Sequence, residues 1–283
     1  MDLRHVIERL CAAENLTADE TEQALDALID ADPAQISAFL VLMRAKGETP
    51  EEMAGMARAM RARAVAVNAG DDVLDIVGTG GDDAGTVNIS TGSCILAAAA
   101  GAKVAKHGNR SVSSMCGSAD VLEALGVAVD LGPEGVAKCI ERTNMGFMFA
   151  PRYHPAMKAV VPVRKALKVR TAFNMLGPMT NPAGVKHQVI GVFTQALCRP
   201  IAEVLKRLGS EHVLVVHSKD GLDELSLAST SYIAELKDGE VREYEVSPEE
   251  LGIQSRSLIG LTVDDATASL KLIRDALGKR ETE

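Results

Sequence analysis

The feature of the sequence that most constrains its fold is a repeated alternation of strand-length apolar runs and helical patterns beyond residue 68. Residues 73–78 (VLDIVG) precede a helical pattern through residues 95–102, and residues 103–108 (KVAKHG) precede another through residues 119–126. Strands and helices that alternate at this spacing predict βαβ units joined in a parallel sheet. Because ligands of such sheets bind beyond the carboxyl ends of the strands, the loops that follow them form the candidate site.

Further strands are predicted later in the chain. Residues 188–193 and 212–217 have strand-like apolar patterns, and residues 233–236 and 241–244 flank Asp238-Gly239 as a hairpin would. These segments extend the predicted sheet.

Residues 145–184 interrupt this rhythm with five prolines, and we expect this stretch to cross between two domains. Near the end of the chain, apolar residues recur at three- and four-residue spacing between Val263 and Leu277. That spacing predicts an amphipathic helix, which we expect Thr262 to cap.

Residues 1–68 are predicted to form a string of short helices. Capping boxes begin at Thr17 and Thr49, and an Asp-Pro pair at Asp32 starts a helix that ends at Gly47. This region contains neither a strand signal nor a cluster of catalytic residue types.

The expected fold class is therefore α/β with two domains. A small all-helical N-terminal domain is predicted over residues 1–68, with a contribution from about 164–184. A larger domain over residues 69–283 is predicted to hold a mainly parallel β-sheet flanked by helices.

Two consecutive βα connections carry polar loops that suit an anion. The first runs from Gly78 to Thr91 and combines glycines with Asn, Ser and Thr at a helix start. The second runs from Lys106 to Ser114 and supplies two cations and three hydroxyls. Neither a P-loop nor the G-x-G-x-x-G fingerprint occurs in these loops, so an ordinary NTPase or dehydrogenase is disfavoured.

A third predicted strand end carries adjacent carboxylates, Asp223 and Glu224. An adjacent acidic pair is more often a surface feature, but hard carboxylates beside a phosphate pocket suit Mg²⁺. Because neighbouring side chains of an extended backbone point in opposite directions, the two acids could serve different ions, or one could act through water.

Composition excludes several classes of function. The net charge of −9 and the pI near 5.3 argue against nucleic acid and anionic membranes as partners. The five cysteines form no C-x-x-C pair, and the longest apolar run, residues 94–102, is too short to span a bilayer. Because no charged-then-apolar leader opens the chain, the cytoplasm is the expected compartment.

Seven sequence runs together resemble the anthranilate phosphoribosyltransferase family. The runs are GTGGD, NIST, KHGNRSVSS, GSADVLEALG, FAPRYHPAMK, RTAFNMLGPMTNPA and GLDEL, in the family's order along the chain. The resemblance implies transfer of the phosphoribosyl group of 5-phosphoribosyl 1-diphosphate (PRPP) to the amine of anthranilate in L-tryptophan biosynthesis. It also implies Mg²⁺ as the cofactor, substrates in a cleft between the two domains, and a homodimer formed through the helical domain.

The resemblance assigns site residues position by position. The residues that match the family's PRPP site are Gly78, Gly81, Asp82, Thr86, Asn88, Ile89, Ser90, Thr91, Lys106, His107, Gly108, Asn109, Arg110, Ser111, Val112, Ser113, Ser114 and Ser118. Those that match the anthranilate site are Gly78, Asn109, His154 and Arg164.

Ser90, Asp223 and Glu224 match metal-binding positions of the family. His107 and His154, with Pro151 and Met157, fall where the family lines its acceptor channel. The resemblance assigns no general acid or base, and Asp83 receives no role.

Two alternative functions and one departure from the family stay open at this point. A pyrimidine-nucleoside-phosphorylase-like enzyme would share the architecture, although the KHGNR and GLDEL runs disfavour it. A non-catalytic relative that binds nucleic acid is disfavoured by the negative charge. Family members continue for tens of residues past the position of Glu283, so we expect a short C-terminus with an exposed apolar face.

Overall fold

The computed structural model describes residues 1–82, 84–110, 116–254 and 256–278. The helices are α1 Leu3–Cys11, α2 Ala18–Leu28, α3 Pro33–Lys46, α4 Pro50–Ala62, α5 Ile89–Ala99, α6 Ser118–Ala124, α7 Pro133–Thr143, α8 Ala150–Tyr153, α9 Val160–Leu167, α10 Phe173–Leu176, α11 Cys198–Arg207 and α12 Ala266–Leu277. None of these described helices is long and apolar enough to cross a bilayer.

The N-terminal helices begin where the capping signals predict. Thr17 and Thr49 each accept a hydrogen bond from the backbone N–H three residues on, in capping boxes that start α2 and α4. The Asp32 side chain caps α3, which ends before Gly47. These local hydrogen bonds satisfy N–H groups that have no partner inside the helix.

A close contact between α2 and α4 sets the packing of the helical region. A Cβ atom on Gly55 would lie 2.0 Å from the carbonyl oxygen of Ala18, so only glycine allows this approach. Beside it, the fully buried Glu52 pairs with Lys46 at 2.8 Å and accepts the backbone N–H of Leu16 at 2.9 Å. The buried carboxylate is therefore fully partnered, as burial requires.

Beyond the N-terminal helices, the strands form a seven-stranded sheet with the order β3-β2-β1-β4-β5-β6-β7. The strands are β1 Leu74–Gly78, β2 Val104–Gly108, β3 Met145–Phe149, β4 His187–Gly191, β5 His212–Ser218, β6 Ser231–Lys237 and β7 Glu240–Val246. Strands β1 to β5 are mutually parallel, and β6 and β7 add antiparallel at one edge. The prediction of a mainly parallel sheet flanked by helices is confirmed.

The structure corrects two predictions of local structure. Residues 145–149 form the edge strand β3, whereas the proline-rich pattern of residues 145–184 predicts a crossing between domains with no strand. Helix α12 is capped by Asp265, whose side chain accepts the N–H of Ala268 at 2.8 Å, and not by Thr262. Thr262 instead forms an isolated bridge with Thr86, so this segment supports the first polar loop.

The helical region and the sheet share one hydrophobic core. Buried Met56 of α4, Leu176 of α10 and Val215 of β5 belong to the same cluster. The Arg61 guanidinium also donates to the Met179 carbonyl at 2.7 Å. Residues 160–184, which we call the crossing segment, are therefore packed between the helices and the sheet.

The contact at Gly55 predicts the effect of one added methyl group. Gly55→Ala is expected to lower the free energy of unfolding by about 1–3 kcal/mol, because α2 and α4 must separate to admit it. Urea unfolding measures the change. Gly92→Ala in α5 is the matched control, because its Cβ would meet only Ile273 at an ordinary distance of 3.7 Å. This variant should keep or gain stability, since alanine loses less conformational entropy than glycine when a helix forms. Equal stability of the two variants would contradict the account.

Candidate functional site

Three parallel strands end in glycine at one edge of the sheet. β1 ends at Gly78, β2 at Gly108 and β4 at Gly191, and the loop after β5 (residues 219–230) reaches the same edge. Carboxyl ends of parallel strands meet there, next to the amino ends of the helices that follow them. This edge is the candidate site.

The loop after β5, which we call the acid loop, packs directly on two of these glycines. A Cβ on Gly191 would lie 1.5 Å from the carbonyl oxygen of Asp223, and a Cβ on Gly78 would lie 2.7 Å from Asp223 Oδ2. The backbone N–H of Gly80 donates to Asp223 Oδ2 at 2.9 Å. The acid predicted as a metal ligand therefore touches the glycine loop, residues 78–82.

Hydrogen bonds within the acid loop fix its course. The Asp220 carboxylate accepts from the hydroxyls of Ser218 and Ser226, the latter at 2.6 Å. Ser218 Oγ in turn accepts the backbone N–H of Leu222 at 3.1 Å. Asp220 thus positions the segment that presents Asp223.

Three carboxyl groups converge where these loops meet. Burial, followed by the charge of Asp82, raises the pKa of Asp223 to about 7. Burial, followed by the charge of Asp223, raises the pKa of Glu224 to about 8, which nearby Lys106 partly offsets. The backbone N–H of Ser90 lowers the pKa of Glu224 by a smaller amount. Neighbouring acids that resist ionisation favour a cation between them.

The described residues fit Mg²⁺ by donor chemistry but do not form a complete protein cage. No group of three or more His, Cys, Asp or Glu side chains within the described ranges is arranged to hold a metal ion. Asp223, Glu224 and Ser90 supply hard oxygen donors beside a helix N-terminus that suits phosphate. Mg²⁺ commonly takes one or two carboxylates and completes its shell with water and substrate phosphate.

The N-terminus of α5 provides the anion-facing side of the site. Asn88 caps the helix through the N–H of Thr91 at 3.0 Å and also accepts from the Ser90 hydroxyl. Lys106 reaches across from β2 and donates to the Ile76 carbonyl at 2.7 Å and to Ser90 Oγ at 3.3 Å. A buried ammonium group thus lies beside the free N–H groups at the start of the helix.

Three other residues predicted for the PRPP site, Thr86, Asn88 and Ile89, lie beside this edge. Thr86 bridges to Thr262, and Ile89 packs in the hydrophobic cluster beneath α12. The backbone N–H of Asn88 donates to the Ser269 hydroxyl of α12 at 3.0 Å. Helix α12 therefore supports the first polar loop from behind.

The second polar loop is only partly within the described residues. The carbonyl of Asn109 accepts from the backbone N–H of Ala119 at 3.2 Å and from the Ser118 hydroxyl at 3.3 Å, and a Cβ on Gly108 would lie 2.2 Å from that hydroxyl. Arg110 is exposed and pairs with Asp120 and Glu123, so the structure does not bring it to the acid cluster. The predicted residues Ser111, Val112, Ser113 and Ser114 lie outside the described residues.

Two buried histidines, His107 and His154, lie at the end of β2, next to this edge. The rings of His107 and His154 lie 5.0 Å apart between centroids, and neither Nε2 atom has a hydrogen-bond partner among the described residues. Burial lowers the pKa of His107 to about 3 and that of His154 to about 4, so both rings are neutral at pH 7. The backbones of Gly177 and Thr180, in the crossing segment, act on these pKa values in the opposite direction without overcoming burial.

Arg164 lies on α9 and is half-buried. Its guanidinium stacks over the Phe173 ring at 5.4 Å, and partial burial lowers its pKa. No carboxylate pairs with it in an ion pair among the described residues. A fork of donors without an acid partner suits a carboxylate ligand.

A buried acid that the sequence analysis did not assign lies beneath the histidines. Asp75, fully buried on β1, accepts from Asn181 Nδ2 at 2.8 Å, and the same amide group donates to the Ala105 carbonyl at 2.8 Å. The backbone N–H of His107 lies 3.4 Å from the carboxylate. Asp75 thus joins β1, β2 and the crossing segment. In the sequence, a charged residue inside the otherwise apolar run VLDIVG is the signal that marks such a buried acid.

The comparisons with known proteins agree along the whole chain. Residues 4–64 match the helical bundle domain of a glycosyl transferase family, and residues 70–283 match its a/b domain. An anthranilate phosphoribosyltransferase of Ectopseudomonas mendocina (strain ymp) is 56% identical over 287 aligned residues, which cover 100% of this chain and 82% of the relative.

Two solved structures extend the match to three dimensions. The anthranilate phosphoribosyltransferase (TrpD) of Thermus thermophilus superimposes with a TM-score of 0.91 at 43% identity, covering 100% of this chain and 84% of its own. The Saccharomyces cerevisiae enzyme in complex with PRPP and Mg superimposes with a TM-score of 0.87 at 25% identity, covering 97% and 80%.

The burial of Asp75 predicts a pH-dependent difference in stability. Burial raises its pKa from an ordinary 3.8 to about 6, so the folded protein keeps a proton that the unfolded chain loses above about pH 4. The contribution of Asp75 to stability therefore falls between about pH 4 and 6. The stability of Asp75→Asn minus that of the wild type should rise by about 2–3 kcal/mol across this window.

Urea unfolding at several pH values measures this difference. Asp72→Asn, which removes a neighbouring exposed acid, controls for the loss of one negative charge. A difference between Asp75→Asn and wild type that stays constant with pH would contradict the assignment.

Proposed function

This chain belongs to the anthranilate phosphoribosyltransferase family, and from that premise we propose which of its residues hold each part of the two substrates. As a glycosyltransferase of this family, it transfers the phosphoribosyl group of PRPP to the amine of anthranilate and releases diphosphate. The relatives matched above carry this activity in their names, whereas neither the nucleoside phosphorylase alternative nor the non-catalytic alternative gains support from them.

The observation that carries the proposal is the contact between the acid loop and the glycine loop. Asp223 accepts a hydrogen bond from the N–H of Gly80, and burial together with the charges of Asp223 and Asp82 raises the pKa of the neighbouring Glu224. Carboxylates that repel each other would also repel a diphosphate, unless a divalent cation lies between them. The site therefore suits a diphosphate together with its metal ion.

We assign the donor to the edge formed by β1, α5 and β2. Backbone N–H groups of the glycine loop and of α5 face the diphosphate, and the Lys106 ammonium adds positive charge. The residues proposed for PRPP are Gly78, Gly81, Asp82, Thr86, Asn88, Ile89, Ser90, Thr91, Lys106, His107, Gly108, Asn109, Arg110, Ser111, Val112, Ser113, Ser114 and Ser118.

We assign the acceptor to the cleft that His107 and His154 line. The neutral rings offer an apolar face with unpaired Nε2 acceptors, which suits an aromatic amine. Arg164 can hold the carboxylate of anthranilate through paired hydrogen bonds. Asn109 and Gly78 lie at the strand ends between this cleft and the donor, where the amine and the anomeric carbon must meet.

We propose Mg²⁺ as the cofactor, held by Asp223, Glu224 and Ser90. The yeast relative whose structure contains PRPP and Mg supports this choice. When bound, Mg²⁺ neutralises charge that develops on the leaving diphosphate.

The chain's own residues act mainly by positioning and electrostatics. In the reaction the amine nitrogen attacks the anomeric carbon while diphosphate leaves, so both partners must be aligned and water excluded. Lys106 and the N–H groups at the start of α5 stabilise the departing negative charge. A single displacement with inversion is expected, and we assign no general acid or base.

We also propose a domain division, a homodimer and a cellular compartment for this chain. Residues 1–68, with about 164–184, form one domain and residues 69–283 the other, an arrangement supported by the packing of α9 on α3. A homodimer would form through the helical domain, where Val41 and Val161 are exposed apolar side chains. The enzyme would act in the cytoplasm, in L-tryptophan biosynthesis.

Anthranilate fluorescence tests the activity directly. Mixing the protein with PRPP, Mg²⁺ and anthranilate should make the fluorescence of anthranilate fall with time, because its amine becomes glycosylated. A reaction without PRPP is the control. Turnover of a pyrimidine nucleoside with phosphate, without any loss of anthranilate, would overturn the proposal.

The acid pair can be tested without disturbing the fold. Asp223→Asn with Glu224→Gln is expected to lower turnover at limiting Mg²⁺ by about tenfold or more, while thermal stability is kept or raised because the repulsion disappears. Initial rates over a Mg²⁺ titration and a melting curve measure both effects. Asp71→Asn with Asp72→Asn, an exposed adjacent acid pair, is the matched control. Unchanged rates at limiting Mg²⁺ would remove Asp223 and Glu224 from the mechanism.

A further inference from the structure

One cationic side chain beside the glycine loop has no role in the assignments above. Arg170, three residues beyond the end of α9, donates from Nη2 to the carbonyl oxygen of Gly81 at 2.6 Å. Its guanidinium carbon lies 4.3 Å from the centroid of the Phe193 ring. The guanidinium is therefore placed between the glycine loop and the segment that follows β4.

The contact with Gly81 is a close one. A Cβ atom on Gly81 would lie 3.3 Å from Arg170 Nη2, so the guanidinium packs against the Cα of this glycine as well as bonding to its carbonyl. Gly80 and Gly81 both have positive φ, at 64° and 84°. Because glycine populates many conformations, contacts from outside the loop must select the one seen here.

The same cluster contacts the glycine loop from its other end. The backbone N–H of Phe193 donates to Thr79 Oγ1 at 3.3 Å, and the N–H of Thr79 donates to the Gly191 carbonyl at 2.9 Å. Arg170 and Phe193 thus contact the loop at Gly81 and at Thr79. We call the contacts of Arg170 with Gly81 and Phe193 the Arg170 clamp.

The backbone of Arg170 is itself anchored to the helical region. The Arg44 guanidinium of α3 donates to the carbonyl oxygen of Arg170. The next residue, Thr171, is buried, and its N–H donates to Asn174 Oδ1 at 2.9 Å. The Arg170 side chain therefore extends towards the loop from a fixed base.

A bond to the Gly81 carbonyl determines where the next N–H points. In a trans peptide the C=O and N–H groups point in opposite directions, and the described chain contains no cis peptide bond. Turning the Gly81 carbonyl towards Arg170 therefore directs the N–H of Asp82 away from it. Free N–H groups of such a loop are the groups that contact a phosphate.

We propose that Arg170 is a positioning residue that holds the Gly81–Asp82 peptide in the orientation that binds the diphosphate of PRPP. The proposal rests on the assignment of the donor to the glycine loop. Arg170 acts through that peptide and not through contact with the acceptor, so it governs the affinity for the donor. Lysine would not replace it, because an ammonium group lacks the planar fork that stacks on a ring and donates at the same time.

The experiment compares Arg170→Gln with Lys168→Gln. Lys168 is exposed two residues earlier and has no part in the site, so this control removes the same charge and leaves the clamp intact. Loss of the charge-assisted bond should raise KM for PRPP, with Mg²⁺ present, by about three- to tenfold. KM for anthranilate at saturating PRPP should stay within about twofold, and Lys168→Gln should match the wild type.

Hydrogen exchange provides a readout that does not depend on turnover. In Arg170→Gln the backbone amides of residues 79–82 should exchange faster than in the wild type, while those of β5 stay unchanged. Phe193→Leu, which removes the ring beneath the guanidinium, should shift KM for PRPP in the same direction and serves if Arg170→Gln does not fold. Arg170→Lys should recover less than half of the lost affinity.

Three results would overturn the proposal. One is an equal rise of KM for PRPP in Lys168→Gln, which would reduce the effect to general electrostatics. The second is a rise of KM for anthranilate alone, and the third is unchanged amide exchange in the glycine loop. Failure of the proposed function is distinguishable, because the wild type and Lys168→Gln would then both leave anthranilate unconsumed.

Discussion

The acid loop and the glycine loop share one close backbone contact, and the rest of the site depends on it. The carbonyl of Asp223 lies where a Cβ on Gly191 would be, and Asp223 Oδ2 lies within reach of a Cβ on Gly78. Side chains at either glycine would push the acid loop outward. With both glycines in place, buried carboxylates lie beside the helix N-terminus that suits phosphate, and their pKa values rise. The repulsion among these acids destabilises the folded protein, and a cation bound between them, as we propose, would relieve it.

The acceptor side depends on a second buried connection, between the sheet and the crossing segment. Asn181 Nδ2 donates to the Asp75 carboxylate and to the Ala105 carbonyl, both at 2.8 Å, so the crossing segment is bonded to β1 and β2. The same segment begins with α9, which carries Arg164, and continues to the clamp residue Arg170. The residues that we propose for the donor and the acceptor are linked through one stretch of chain that packs on both the helical region and the strand ends. Its prolines and turns place successive side chains on different neighbours instead of along one helix face.

Much of this architecture could be predicted because its signals are local. Capping boxes mark α2 and α4, and apolar runs of strand length mark β1, β2, β4 and β5. Strand β3 was missed because its apolar run lies beside a proline-rich stretch that resembles a linker. The roles of Asp75 and Arg170 were missed for another reason: their partners lie 106 and 89 residues away in sequence, and no periodicity records such pairings. Arg110 is another case in which distant partners matter, since this cation of a polar loop pairs with Asp120 and Glu123, the acids of α6.

The central claim is that one strand-end edge holds the diphosphate and its metal ion, with the acceptor cleft beside it. The measurement that tests it most directly is a crystal structure of the protein grown with PRPP, Mg²⁺ and an unreactive anthranilate analogue. We predict diphosphate oxygens within hydrogen-bond distance of the glycine loop and of α5, Mg²⁺ bound by Asp223 and Glu224, and the aromatic ring packed beside His107 and His154. Diphosphate bound elsewhere, such as in the surface groove that Lys103 and Lys138 line, would contradict it.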